Sequence, residues 1–87
     1  MKVNIGILIG AARGKPSGAR KTIDLDFVPV EGMYYSDETW KAMEARRIIS
    51  VLIEHLAVEG STHLEIGLDE DPHGDPAIYE SHGWKIT

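Results

Sequence analysis

SDETWKAMEARRIISVLIEHLAVEG, residues 36 to 60, is the stretch whose reading decides the fold. Ala45, Ile48, Ile49, Leu52 and Leu56 recur at the i, i+3, i+4, i+7 spacing of an amphipathic helix, and Lys41, Glu44, Arg47 and Glu54 fall on the faces left to solvent. Ser36 or Asp37 supplies an N-cap, and Asp37 and Glu38 lie at the positive end of the helix dipole. Neither glycine nor proline interrupts the run to Val58, and Gly60 offers a C-terminal stop. The spacing predicts one long helix.

On either side of it the period changes to two. The β-branched Val3, Ile5, Ile7 and Ile9 fall on strict alternate positions, and Ile23, Leu25 and Phe27 repeat the pattern against Thr22, Asp24 and Asp26. Gly14, Pro16 and Gly18 supply a turn between these two strands, so the N-terminal third reads as a hairpin with a long loop, ended by Pro29. Thr62, Leu64, Ile66 and Leu68 alternate with His63, Glu65 and Gly67 as a third strand. The tail AIYESHGWKIT reads as a last strand or short hairpin turned at Ser81, His82 and Gly83. The expectation is an α+β fold of order β-β-α-β-(β). One helix packs on a small, mostly antiparallel sheet of three to five strands, in a single domain spanning residues 1–87 with one modest core.

Composition narrows the classes. Hydrophobic residues at 43% and charged residues at 26% are ordinary globular values and argue against disorder. The chain has no cysteine, which removes disulfides, thiolate metal sites and cysteine nucleophiles and makes the cytoplasm the expected compartment. A net charge of -5 argues against a dedicated nucleic-acid binder. MKVNIGILIGAA has the order of a secretory signal, but its strict alternation is that of a half-buried strand. No run approaches the ~18 apolar residues of a membrane span.

GAARGKPSGARK, residues 10 to 21, holds four of the nine Lys and Arg residues. A Walker-type loop would need GxxxxGK[ST] followed by a helix, and both the spacing and the following strand pattern depart from that. What remains is an anion-binding loop in which Arg13, Lys15, Arg20 and Lys21 grip a phosphate or carboxylate, set against a solvated hairpin tip. In DEDPHGDPAIYE, Asp69, Asp71, Gly74, Asp75 and Glu80 match positions of a calcium loop, but His73 and Pro76 break the template and the flanks read as strands. His55, His63, His73 and His82 show no zinc spacing, and no GxSxG elbow accompanies the serines. No metal, no cofactor and no catalytic residue is expected from these patterns.

VLIEHLAVEGSTHLEIGLDEDPHGDPAIYESHGWKI, residues 51 to 86, resembles the closing helix, strand and YE..GW end of the N-acetyltransferase superfamily. That resemblance implies an acyl-coenzyme A site framed by Tyr79. RGKPSGA is similar to that family's pyrophosphate turn but stands one strand earlier than the family's order.

Met33, Tyr34, Tyr35 and Trp40 crowd the junction between the second strand and the helix, more large side chains than one thin core readily covers. Such residues are enriched at protein interfaces. The functional expectation is a small non-enzymatic binding protein of adaptor or inhibitor type, a class that includes small bacteriophage proteins. It acts on a protein partner or its own copy through the basic loop and the aromatic patch. The alternatives are sequestration of a small phosphorylated ligand and an acyltransferase-like fragment using acetyl-coenzyme A.

Overall fold

The computed structural model describes residues 1–41 and 43–87. Its strands are β1 (Lys2–Ile9), β2 (Ser17–Asp24), β3 (Tyr34–Tyr35), β4 (Arg46–Leu56), β5 (Ser61–Leu68) and β6 (Lys85–Ile86), with one helix, α1 (Pro76–Ser81), between β5 and β6. They form one curled mixed sheet of order β3-β4-β5-β1-β2-β6, in which only β1 and β5 run parallel. The expected α+β arrangement is therefore corrected: no long helix packs on the sheet, and the stretch that reads as that helix contains its longest strand.

The physical reason lies in β4 itself. Ile48, Ile49, Val51 and Ile53 are β-branched, stiff at χ1 and better suited to a pleated surface than to a helix. A bulge between Ile48 and Ser50 inserts one extra residue into the ladder with β5. Ile48 faces Leu68 before the bulge, and Val51 and Ile53 face Ile66 and Leu64 after it, so 48, 51 and 53 share one face, of which Ile48 is buried, Val51 half-buried and Ile53 exposed. Ile49 and Leu52 are apolar on the opposite side. A strand that is apolar on both faces and carries a bulge reproduces the i, i+3, i+4 spacing. The cap and stop signals were real local chemistry as well. Asp37 Oδ1 accepts the Thr39 N–H at 2.8 Å, and Gly60 has φ +67° in the turn that closes the β4–β5 hairpin between Leu56 and Ser61. Left-handed glycine serves a hairpin turn as well as a helix end.

The sequence parity holds for β1 and β5, whereas the expected second strand stops at Asp24, leaving Leu25 and Phe27 beyond it and Phe27 half exposed. Val3, Ile5, Ile7 and Ile9 of β1 line the buried face beside Leu64, Ile66 and Leu68 of β5, with Val3 opposite Leu64 and Ile5 opposite Ile66. Ala19 and Ile48 extend that core on either side. The cover, in place of a helix, is the segment 25–41, mostly irregular apart from β3, together with α1: Leu25, Tyr35 and Trp40 from the first, and Tyr79 from the second, joined by Trp84. The tail expected as strand or hairpin is a helix first, because Asp75 caps it by accepting the Ala77 N–H at 3.0 Å and Pro76 occupies its first turn.

β2 begins at Ser17, five residues earlier than the alternation indicates, and pairs with β1 from Lys2–Asp24 to Ile9–Ser17. The basic stretch is thus half turn and half strand. The turn depends on Gly10, whose φ is +79° and where an added Cβ would stand 2.7 Å from the Lys15 carbonyl oxygen. Gly14 has the same φ but open space around it. Gly10→Ala is expected to lower stability by about 1–3 kcal/mol, the cost of a strained left-handed residue, and by more than Gly14→Ala, read by urea denaturation. Equal effects would show that the backbone contact at Lys15 is not tight.

Candidate functional site

The two expected surfaces meet at Asp37. Its Oδ2 accepts from the Tyr35 hydroxyl at 2.6 Å and from Lys21 Nζ at 2.9 Å, and Lys21 also lies 5.5 Å from the centre of the Trp84 ring. Tyr35, Trp40, Tyr79 and Trp84 form a chain of edge-to-face contacts with centroids 5.3 to 6.1 Å apart. Hydrogen bonds fix their polar ends. Trp84 Nε1 donates to Thr39 Oγ1 at 2.8 Å, Trp40 Nε1 donates to the Tyr79 oxygen at 3.0 Å, and Tyr79 donates to Asp71 Oδ2 at 2.8 Å. Trp40 and Tyr35 therefore belong mainly to the cover of the core, while Tyr34 and Met33 remain exposed.

Partial burial alone would push the Asp37 carboxyl up. Hydrogen bonds from Thr39, Tyr35 and Lys21 outweigh it and bring the group down to about 2. Burial, and then the neighbouring Asp37 carboxylate, raises the Tyr35 hydroxyl well above its ordinary value. Burial also raises Tyr79, against the opposing donation from Trp40 and with the help of Asp71. Both phenols thus stay protonated donors, and neither is a proton-transfer group near neutral pH.

The basic stretch is dispersed. Arg13 faces Asp75 at 3.7 Å, Arg20 meets Glu65 at 3.1 Å, and Lys21 is held by Asp37. Arg20 and Lys21 are neighbours on a strand and so point to opposite faces. Lys15 sits exposed in the turn. The acidic loop is likewise committed to structure: Asp71 is bound by Tyr79 and by Arg46 at 3.2 Å, and Asp75 caps α1. The resemblance to an acyltransferase end fails at its first element, since residues 51–56 are strand. Tyr79, which it would place at an acyl site, is buried against Trp40 and Trp84.

The surface that sequence reasoning missed is the outer edge of β4. β3 covers it only at Arg46 and Arg47, and Gly32 and Met33 add two main-chain bonds to Ile48. Beyond Ile48 no described segment pairs with that edge. It is flanked by exposed apolar side chains: Met33 at 41%, Tyr34 at 69%, Ile49 at 48%, Leu52 at 56% and Ile53 at 61%. The helical reading hid it, because a stripe on a helix has an inside and a strand edge does not. No described helix is long and apolar enough to cross a membrane.

Since the depressed Asp37 carboxylate is charged in the fold over a wider range than in the unfolded chain, it stabilises above its ordinary 3.8, and that contribution is lost as pH falls toward about 2. Asp37→Asn is expected to lower stability at neutral pH and to flatten the acid limb between those values, measured by urea denaturation against pH. An unchanged acid limb would contradict the assignment. Compared with known proteins, the chain matches no family model, no curated protein and no solved structure.

Proposed function

We propose that the chain is a small non-catalytic binding domain, of adaptor or inhibitor type, that takes up an extended segment of a protein partner as an added strand along β4. One observation carries the reading: β4 is eleven residues long, yet among the described residues its outer edge has no partner past Ile48. In a ladder, main-chain groups face alternately to each side. Ile48 bonds outward to Gly32 and Met33, so Val51 and Ile53, which continue its phase past the bulge, present their N–H and C=O groups outward as well. Ile49 to Ile53 contains neither proline nor charge, the devices that normally blunt an edge. Strand addition uses such main-chain groups for affinity and the flanking side chains for specificity. Met33, Tyr34, Ile49 and Leu52 are suited to that second role. An identical chain is the simplest partner to test and a different protein the other.

The test uses the purified protein immobilised against a lysate of its own source, alongside light scattering of the free protein. Ile53→Pro removes one outward donor, and Leu52→Lys places a charge on the exposed flank. Both should leave the melting temperature within a few degrees, as exposed edge substitutions do, with changes near 0.5 kcal/mol for Leu52→Lys. Both should cost roughly tenfold or more in affinity for whatever partner or self-association the wild type shows. Binding that survives both substitutions would rule out the β4 edge.

A further inference from the structure

At the opposite edge of the sheet a groove of about 540 Å³ opens where the two-residue β6 stops and β2, paired with β1 on its inner side, runs on with no described strand along its outer side. Its walls carry Arg20, Lys21 and Lys85, with Thr22 and Gly83 between them. The ladder places Arg20 directly opposite Lys85. Ala19 of the adjacent pair is buried, so Arg20 and Lys85 both stand on the opposite, open face. Two like charges facing each other across a strand pair destabilise it. One of them is only half compensated: Arg20 contacts Glu65 through a single nitrogen at 3.1 Å, in an exposed pair. Among the described residues Lys85 has no carboxylate within ion-pair distance. Lys21 closes the groove at its inner rim, held against Asp37 and over Trp84, and is therefore ordered.

In a chain of net charge -5 this is a concavity with an excess of positive charge, and concave charged surfaces concentrate ions of the opposite sign. We propose that the groove between β2 and β6 binds the phosphate group of a small phosphate ester, with Arg20 and Lys85 as its two principal contacts. A dianion relieves the opposed like charges and takes charge-assisted hydrogen bonds from both; Thr22 and Asn4 stand at the same wall, the Thr22 hydroxyl donating to Asn4 Oδ1 at 2.8 Å. The site differs from the turn Gly10 to Pro16: Lys15 takes no part in it, and Arg13 faces Asp75. Lys85, which no motif in the sequence marks, is brought to Arg20 only by the pairing of β6 with β2. The proposal is independent of strand addition at β4, which lies four places along the sheet from β6.

The experiment is a titration of the ¹⁵N-labelled full chain with inorganic phosphate, phenyl phosphate and acetate, followed by amide shifts. Phosphate and phenyl phosphate are expected to move the Arg20, Thr22 and Lys85 amides along one saturating curve, with phenyl phosphate at least as tight as inorganic phosphate and acetate much weaker. Lys85→Ala should weaken phosphate binding about tenfold, the loss of one charge-assisted hydrogen bond, while Lys15→Ala changes nothing. A chain with Lys85→Arg should retain binding, which separates loss of the charge from damage to β6. Acetate binding as tightly as phosphate, exclusion of phenyl phosphate, shifts scattered over Lys15 and Lys41, or indifference to Lys85→Ala would each overturn the proposal.

Discussion

The fold depends on the carboxylate of Asp71. One oxygen accepts the Tyr79 hydroxyl and the other faces the Arg46 guanidinium, while the Asp71 main chain donates to Leu8 and accepts from Gly10 and Gly74. A single buried residue therefore joins the end of β1, the start of β4 and α1. Through Tyr79 it reaches Trp40, and through Trp40 the irregular segment that covers the core. Arg46 Nε is buried without a hydrogen-bond partner while the rest of the side chain keeps part of its exposure, so the Asp71 contact offsets a partial desolvation of that guanidinium. A charge and its acceptors buried together are costly to break, since removing one partner leaves the other unpaired in a low dielectric.

This anchor explains why the sheet needs no helix on it. A segment of irregular chain can cover a hydrophobic face only if its polar groups find partners. Here the aromatic side chains supply the apolar area, and Thr39, Asp37 and Asp71 accept from the polar ends of Trp84, Tyr35 and Tyr79, with Lys21 in turn held by Asp37. The inner face is closed in this way. The consequences for function lie where closure stops. The edge of β4 beyond Ile48 and the groove beside β6 are both places where the sheet runs on after its neighbour has ended.

Much of the sheet was legible in the sequence. The odd residues of β1 and the even residues of β5 alternate without interruption, and in both cases the apolar set is the buried one. Period-two patterns survive because the face opposite the core is polar or glycine at every position but Leu8. β4 was not legible, because its two faces are both apolar and its bulge shifts the phase by one residue, which mimics a helical stripe. The basic stretch suggested one loop, whereas the β1–β2 register carries half of it into a strand and turns Arg20 and Lys21 apart. Tyr35 is brought beside Lys21 through Asp37, an association set by tertiary packing that no spacing in the chain encodes. Of the four large side chains expected to exceed the core, Met33 and Tyr34 are the exposed pair, beside a strand edge instead of a helix–sheet corner.

The most direct measurement is a double-mutant cycle between Asp71→Asn and Tyr79→Phe, followed by urea denaturation and by the near-ultraviolet signal of Trp40 and Trp84. If Asp71 organises the cover of the core, each single change should cost about 1–3 kcal/mol, as for a buried hydrogen bond left unmade. The pair should then be non-additive by more than roughly 0.5 kcal/mol, and the tryptophan signal should weaken in both single variants. Additive effects, each within the range of a surface substitution and with the tryptophan signal intact, would contradict the account.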